Sequence, residues 1–150
     1  MNELLLFSVD SPIRAGIYRQ KALVRTYERE GKVGEELYAL LREILASYEL
    51  DALYYLQGPG SFTAIKLSYV FLKTLSIART IPLFGADSFT FNGGAPIHAY
   101  GDSYFVKESG KITLRRVHAP LEKIPCELPA SLDSTLFTPN PAPLYILPAV

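Results

Sequence analysis

Seven consecutive residues, Gln57-Gly58-Pro59-Gly60-Ser61-Phe62-Thr63, have the composition of a loop that presents backbone amides. Gly58 and Gly60 open backbone angles closed to other residues, Pro59 stiffens the turn between them, and Ser61 or Thr63 can cap a following helix. Amides at a helix start attract anions, so a phosphate cradle is one reading of this loop, and a tight strand-to-helix turn is the other. The Gly-Lys-Ser/Thr ending of a P-loop is missing, and so is the third glycine of a dinucleotide fingerprint. Asp10 follows the first apolar run, where a carboxylate either faces a metal or caps a turn. Cys126 sits between Pro125 and Glu127 with no base beside it, and His98 and His118 are the only histidines. One cysteine and two histidines exclude an internal disulfide, a multi-cysteine zinc site and a His-rich metal site. Arg115-Arg116, with Lys107 and Lys111, makes a modest basic patch.

The elements that must position these groups are legible in the hydrophobic pattern. Leu4 to Val9 is a short, nearly continuous apolar run, the signature of a strand buried on both faces. Ala15 to Arg19 and Ala22 to Tyr27 read as a hairpin completing an antiparallel three-strand start. After a break at Gly31 to Gly34, Leu37, Leu40, Leu41, Ile44, Leu45 and Tyr48 recur at helical spacing. Glu35 and Glu36 stand in that helix's first turn, where negative charge suits the dipole. Asp51 to Gln57 is an aromatic-rich strand that delivers the glycine loop, and a second helix spans Thr63 to Ala78. That helix is apolar most of the way round, with only Lys66, Lys73 and Ser76 as a polar strip. Such a helix needs covering on more than one side. Ile81 to Gly85 is a further strand, Asp87-Ser88 can start a short helix, and Gly93-Gly94 marks a boundary.

Residues 96–150 form a weaker second part, read as a shortened lobe: three short strands at 97–100, 103–107 and 111–117, then a tail. Seven of the chain's eleven prolines fall at Pro120 and beyond, so the tail cannot hold a long helix or a central strand and is expected to lie over the first part, 1–95. With 15 basic and 15 acidic side chains in 150 residues, nucleic-acid binding by the chain alone is not expected. No apolar run is long enough to span a membrane, and Met1-Asn2-Glu3 lacks the basic start of a signal peptide, which reads as cytoplasmic.

The loop Gly58-Pro59-Gly60-Ser61-Phe62-Thr63, followed by a helix and by Ile81-Pro82-Leu83-Phe84-Gly85, resembles the TsaB (YeaZ) family. The opening strand ending in Asp10-Ser11, the hairpin to Tyr27 and the late Pro143-Leu144-Tyr145-Ile146 segment also look like that family. The resemblance implies an α/β protein with an actin/Hsp70-like (RNase H-like) N-terminal lobe and here a truncated second lobe. It further implies a non-catalytic subunit without a cofactor in making N6-threonylcarbamoyladenosine on tRNA. Such a subunit pairs with a TsaD-like catalytic subunit, recruits a TsaE-like ATPase, and meets tRNA only through the complex. Ala64, Lys66 and Ser68 replace the family's Gly, Arg and Gly, and His98-Ala99-Tyr100 stands where the family has Asp-Ala-Arg. Lys66 keeps the charge but loses the guanidinium fork.

In the family the first two helices face the partner. The expected interface here is the Ala64, Ile65, Ser68, Tyr69 and Leu72 side of the second helix with Leu41 and Leu45 of the first, leaving Leu67, Phe71 and Leu75 to the sheet. Alone, the same face is expected to make a two-fold homodimer. Asp10 is then a vestige of a metal-facing carboxylate, since Ser11-Pro12-Ile13 supplies no glycine-rich hairpin. A small phosphotransferase or ATPase using the glycine loop and Asp10, and a degenerate homodimeric interaction module, are the alternatives.

Overall fold

The computed structural model describes residues 1–144, so Tyr145 and Ile146 of the late family-like segment lie outside the described residues. Its centre is a six-stranded sheet in the order β3-β2-β1-β4-β5-β9, built from β1 (Asn2–Phe7), β2 (Ile13–Arg19), β3 (Ala22–Arg29), β4 (Ala52–Leu56), β5 (Leu83–Ala86) and β9 (Thr138–Pro139). β1 pairs antiparallel with β2 and parallel with β4, and β4 pairs parallel with β5. Helices α1 (Val33–Ser47) and α2 (Phe62–Arg79) make the crossovers into β4 and β5. This mixed α/β topology is an actin/RNase H-like lobe. A separate sheet of three antiparallel strands follows: β6 (Ile97–Tyr100), β7 (Ser103–Glu108) and β8 (Lys111–Arg116).

The two central strands are apolar on both faces. Leu4, Leu6, Leu53 and Tyr55 point to the helix side, where they meet Leu37, Leu40, Leu41 and Ile44 of α1 and Leu72 of α2. Leu5, Phe7, Tyr54 and Leu56 point to the other side, where Leu132 and Phe137 of the tail cover them. The tail runs as a strap: Tyr18 Oη donates to the Pro129 carbonyl at 2.7 Å, Leu23 N–H to Ala130 O and Leu132 N–H to Lys21 O. It then adds β9 to the edge of the sheet against β5. Pro139 within that strand marks an edge, since proline has no amide to give a further neighbour. Of the short helix open to residues 130–136, only a 3-10 turn forms, over Ser134–Leu136, capped by Asp133.

At the base of the sheet the strap crosses a polar cluster. The Glu3 carboxylate is buried, accepts from Tyr54 Oη at 2.9 Å and is ion-paired with Lys21 at 2.9 Å. The hydrogen bond to Glu3 raises the Lys21 pKa, and burial raises that of Tyr54. Among the described residues no helix is long and apolar enough to cross a membrane.

The face of α2 that meets the chain's own core corrects the expected interface. Ala64, Ile65, Ser68 and Leu72 are buried inside this chain, as is Leu41 of α1, while Tyr69 and Leu45 are half-buried against the core. The physical reason is size. Ala64 and Ser68 let the helix approach the sheet closely, and the Ser68 hydroxyl is hydrogen-bonded to that of Ser8 at the end of β1. Leu67 and Phe71 turn instead towards α1, where Leu67 lies beside Gly34 and the Phe71 ring meets that of Tyr38. Leu72→Glu is therefore expected to unfold the chain, because an unpaired buried carboxylate costs more than about 4 kcal/mol. Loss of the cooperative thermal transition in circular dichroism checks this; a folded, soluble Leu72→Glu protein contradicts the placement.

Candidate functional site

The glycine loop is held from three directions. Gly58 has φ +116, and an added Cβ there meets Ile65 Cδ1 and the Leu144 carbonyl, each at 2.8 Å. The Gly58–Pro59 peptide is cis. Ser88 fixes the loop from β5's side, its N–H donating to Gly58 O and its hydroxyl to Pro59 O at 2.7 Å. Gly60 is glycine for a different reason from the one its composition suggests. Its φ is not in the left-handed region; a Cβ there falls 2.6 Å from the Val9 carbonyl oxygen. Ser61 N–H donates to that same carbonyl at 3.0 Å, so the start of α2 is stitched to the end of β1. Ser61 is the N-cap, accepting from Ala64 N–H, and Thr63 lies exposed on the first turn.

A cleft of about 520 Å³ opens above these strand ends. Ser8 to Ser11 and Gly60, Ser61 and Ala64 form one wall; Ile97, His98, Ala99 and Tyr104 of the small sheet form the opposite one. Leu121 to Ile124 of the strap cross between them. In open α/β sheets the carboxyl ends of parallel strands, where neighbouring connections diverge, are where ligands bind, and this cleft has that position. The short second part of the chain is thus enough to close a two-walled cleft. The wall is joined to the lobe by the Lys107–Asp87 ion pair at 2.5 Å, and Asp87 also caps the 3-10 turn Ser88–Phe91.

Asp10 stands at the rim of the cleft. One carboxylate oxygen accepts from Ser11 N–H at 2.7 Å, and the other is paired with Lys123 at 2.8 Å. Lys123 also donates to the Ser11 carbonyl at 3.1 Å. Asp10 thus acts as a turn cap with a lysine partner, and among the described residues no three His, Cys, Asp or Glu side chains gather. Lys123 and Tyr104 are cleft residues that sequence reasoning passes over; no spacing ties Lys123 to Asp10, and only the strap's path brings them together. The basic patch is largely neutralised: Arg115 pairs with Glu108, Arg116 with Asp102 and Lys107 with Asp87. His98 is exposed, its Nε2 within 2.9 Å of the Gly101 carbonyl.

Cys126 lines the same cleft, its thiol donating to the Ser88 carbonyl at 3.3 Å. Burial, reinforced by the nearby Asp10 carboxylate, pushes its pKa up to about 11. The thiol therefore stays protonated at neutral pH.

No family model matches this chain, and no curated protein matches it. Solved structures do. YeaZ from Pseudomonas aeruginosa superposes with a TM-score of 0.58 at 17% identity, over 81% of this chain and 71% of that one. An uncharacterized protein with similarity to peptidase YeaZ, also from Pseudomonas aeruginosa, gives a TM-score of 0.52 at 17% identity, over 81% of this chain and 70% of that one. The fold of this chain is YeaZ-like.

Two outcomes are expected. Gly60→Ala should cost about 1–3 kcal/mol, and Gly60→Val more, because the Val9 backbone cannot yield; a melting temperature unchanged in both variants contradicts the steric assignment. Alkylation of Cys126 by iodoacetamide at pH 8 should run about 100-fold slower than that of a free thiol and gain about ten-fold per pH unit towards its raised pKa; ordinary reactivity at pH 8 contradicts it.

Proposed function

We propose that this chain is a non-catalytic subunit of the tRNA N6-threonylcarbamoyladenosine machinery, docking through its α1–α2 layer on a TsaD-like catalytic subunit. A TsaE-like ATPase joins that pair, and tRNA is met only through the assembly. The observation that carries the reading is the outer face of α2. Lys66, Val70, Thr74 and Ile77, one to a turn, all face outwards, and Ile77 is 70% exposed. Half-buried Leu67 and Phe71 and exposed Tyr38 of α1 extend the apolar surface sideways. Proteins that act alone rarely leave such a face in water. The YeaZ-like fold and the glycine loop support the same reading. The interface is therefore proposed on Val70, Ile77 and Tyr38, on the side of α2 opposite Ile65 and Leu72.

The test is binding of the purified chain to the TsaD of the same organism, by calorimetry and gel filtration. Val70→Glu should stay folded and weaken that binding more than about ten-fold, since a charge in the centre of an apolar contact removes a hot spot. Unchanged binding by Val70→Glu refutes the interface. A wild-type chain that ignores TsaD but makes a homodimer broken by Val70→Glu supports the interaction-module alternative instead.

A further inference from the structure

The cleft between the two sheets is large enough for a drug-sized molecule, whose sites span about 300–1,000 Å³. What it offers a ligand is set by which of its polar groups are already engaged. The Ser8 hydroxyl is bonded to Ser68, the Ser88 hydroxyl donates to Pro59 O, and Ser61 Oγ accepts from Ala64 N–H. Asn92 is turned into its own loop, its amide donating to Ala95 O and its carbonyl accepting from Gly94 N–H. The cleft's ammonium, Lys123, is held by Asp10 and the Ser11 carbonyl. Glu122 adds a second carboxylate to the lining, so two acidic groups stand against one lysine.

Most of the remaining surface is apolar, with the Ser11 hydroxyl and the His98 ring at its margin. Ile13 and Val33 come from the large lobe, Ile97 and Ala99 from β6, and the Tyr104 ring from β7. Leu121 and Ile124 sit on the strap above them, each more than 40% exposed, and Leu121 N–H is anchored to Tyr104 Oη at 3.1 Å. Two exposed aliphatic side chains over an apolar cleft gain cover when an apolar body fills it. An anion gains less: among the described residues the lysine of the lining is already held by Asp10 and Ser11, and two carboxylates oppose the anion.

We propose that this cleft is a binding site for one uncharged, largely aromatic small molecule, gripped between Ile97, Tyr104 and the Leu121–Ile124 segment, and that it rejects anionic relatives of the same molecule. The proposal is independent of the helix face assigned to a protein partner.

A pair of dyes tests it on the full chain. N-phenylnaphthylamine is neutral and apolar; anilinonaphthalene sulfonate is nearly the same molecule with an anionic group. The neutral dye should bind with saturable, one-to-one fluorescence enhancement, and the sulfonate roughly ten-fold or more weaker, because its charge must be desolvated beside Asp10 and Glu122. Equal or tighter binding of the sulfonate overturns the proposal, as does the absence of saturable binding by the neutral dye. Ala99→Trp fills the cleft from β6 and should abolish binding with the far-ultraviolet spectrum unchanged; full affinity in that variant puts the dye elsewhere and overturns the assignment. Should Ala99→Trp fail to fold, Leu121→Asp on the exposed rim replaces it, with at least about five-fold weaker binding expected and unchanged binding counting against the proposal.

Discussion

The structure depends on one constraint: its two central strands are apolar on both faces, so the sheet is unstable until both are covered. Two crossover helices, α1 and α2, cover one side, and only Ile65 at the start of α2 reaches into the other layer. The other side is left to a proline-rich strap that has no ladder of its own over most of its length. It does not need one. It is held by Leu132 and Phe137 in the apolar layer and by single bonds from Tyr18, Leu23 and Lys21. The prolines that forbid it a helix suit it to this path, because each removes an amide that would otherwise need a partner.

Much of this was legible in the sequence, because alternation and helical spacing are local properties. β1 and β4 show their two-sided burial as continuous apolar runs, and α1 shows its stripe. The orientation of α2 was not legible in the same way. Its largest apolar side chains, Leu67 and Phe71, suggest the sheet-facing side, yet the sheet takes the side carrying Ala64 and Ser68. Close approach rewards small residues as much as burial rewards large ones, and periodicity counts only the latter. The glycines divide similarly. Gly58 is explained by its own φ, while Gly60 is explained by Val9, some fifty residues earlier. Contacts of that kind, like Asp10 with Lys123, are products of topology and leave no spacing to read.

α2 takes part in both of the proposed surfaces. Its first turn is stitched to Val9 and lines the cleft; its middle turns present Val70 and Thr74 outwards. The two surfaces therefore share one rigid element, seated on the core by Ile65, Ser68 and Leu72. The second part of the chain is small, but the Asp87–Lys107 pair ties it to the turn that follows β5, and the strap ties it again through Tyr104 and Lys123.

The strap also bears on how the protein is made. Translation proceeds from the first residue onwards, and the strap leaves the ribosome after every strand whose second face it covers except its own. Until then the nascent chain carries Leu5, Phe7, Tyr54 and Leu56 without the cover of Leu132 and Phe137, with the edge of β5 open where β9 will pair. Folding of the lobe is accordingly completed only when the strap arrives, and the interval before it does is the period in which the chain most needs protection from aggregation.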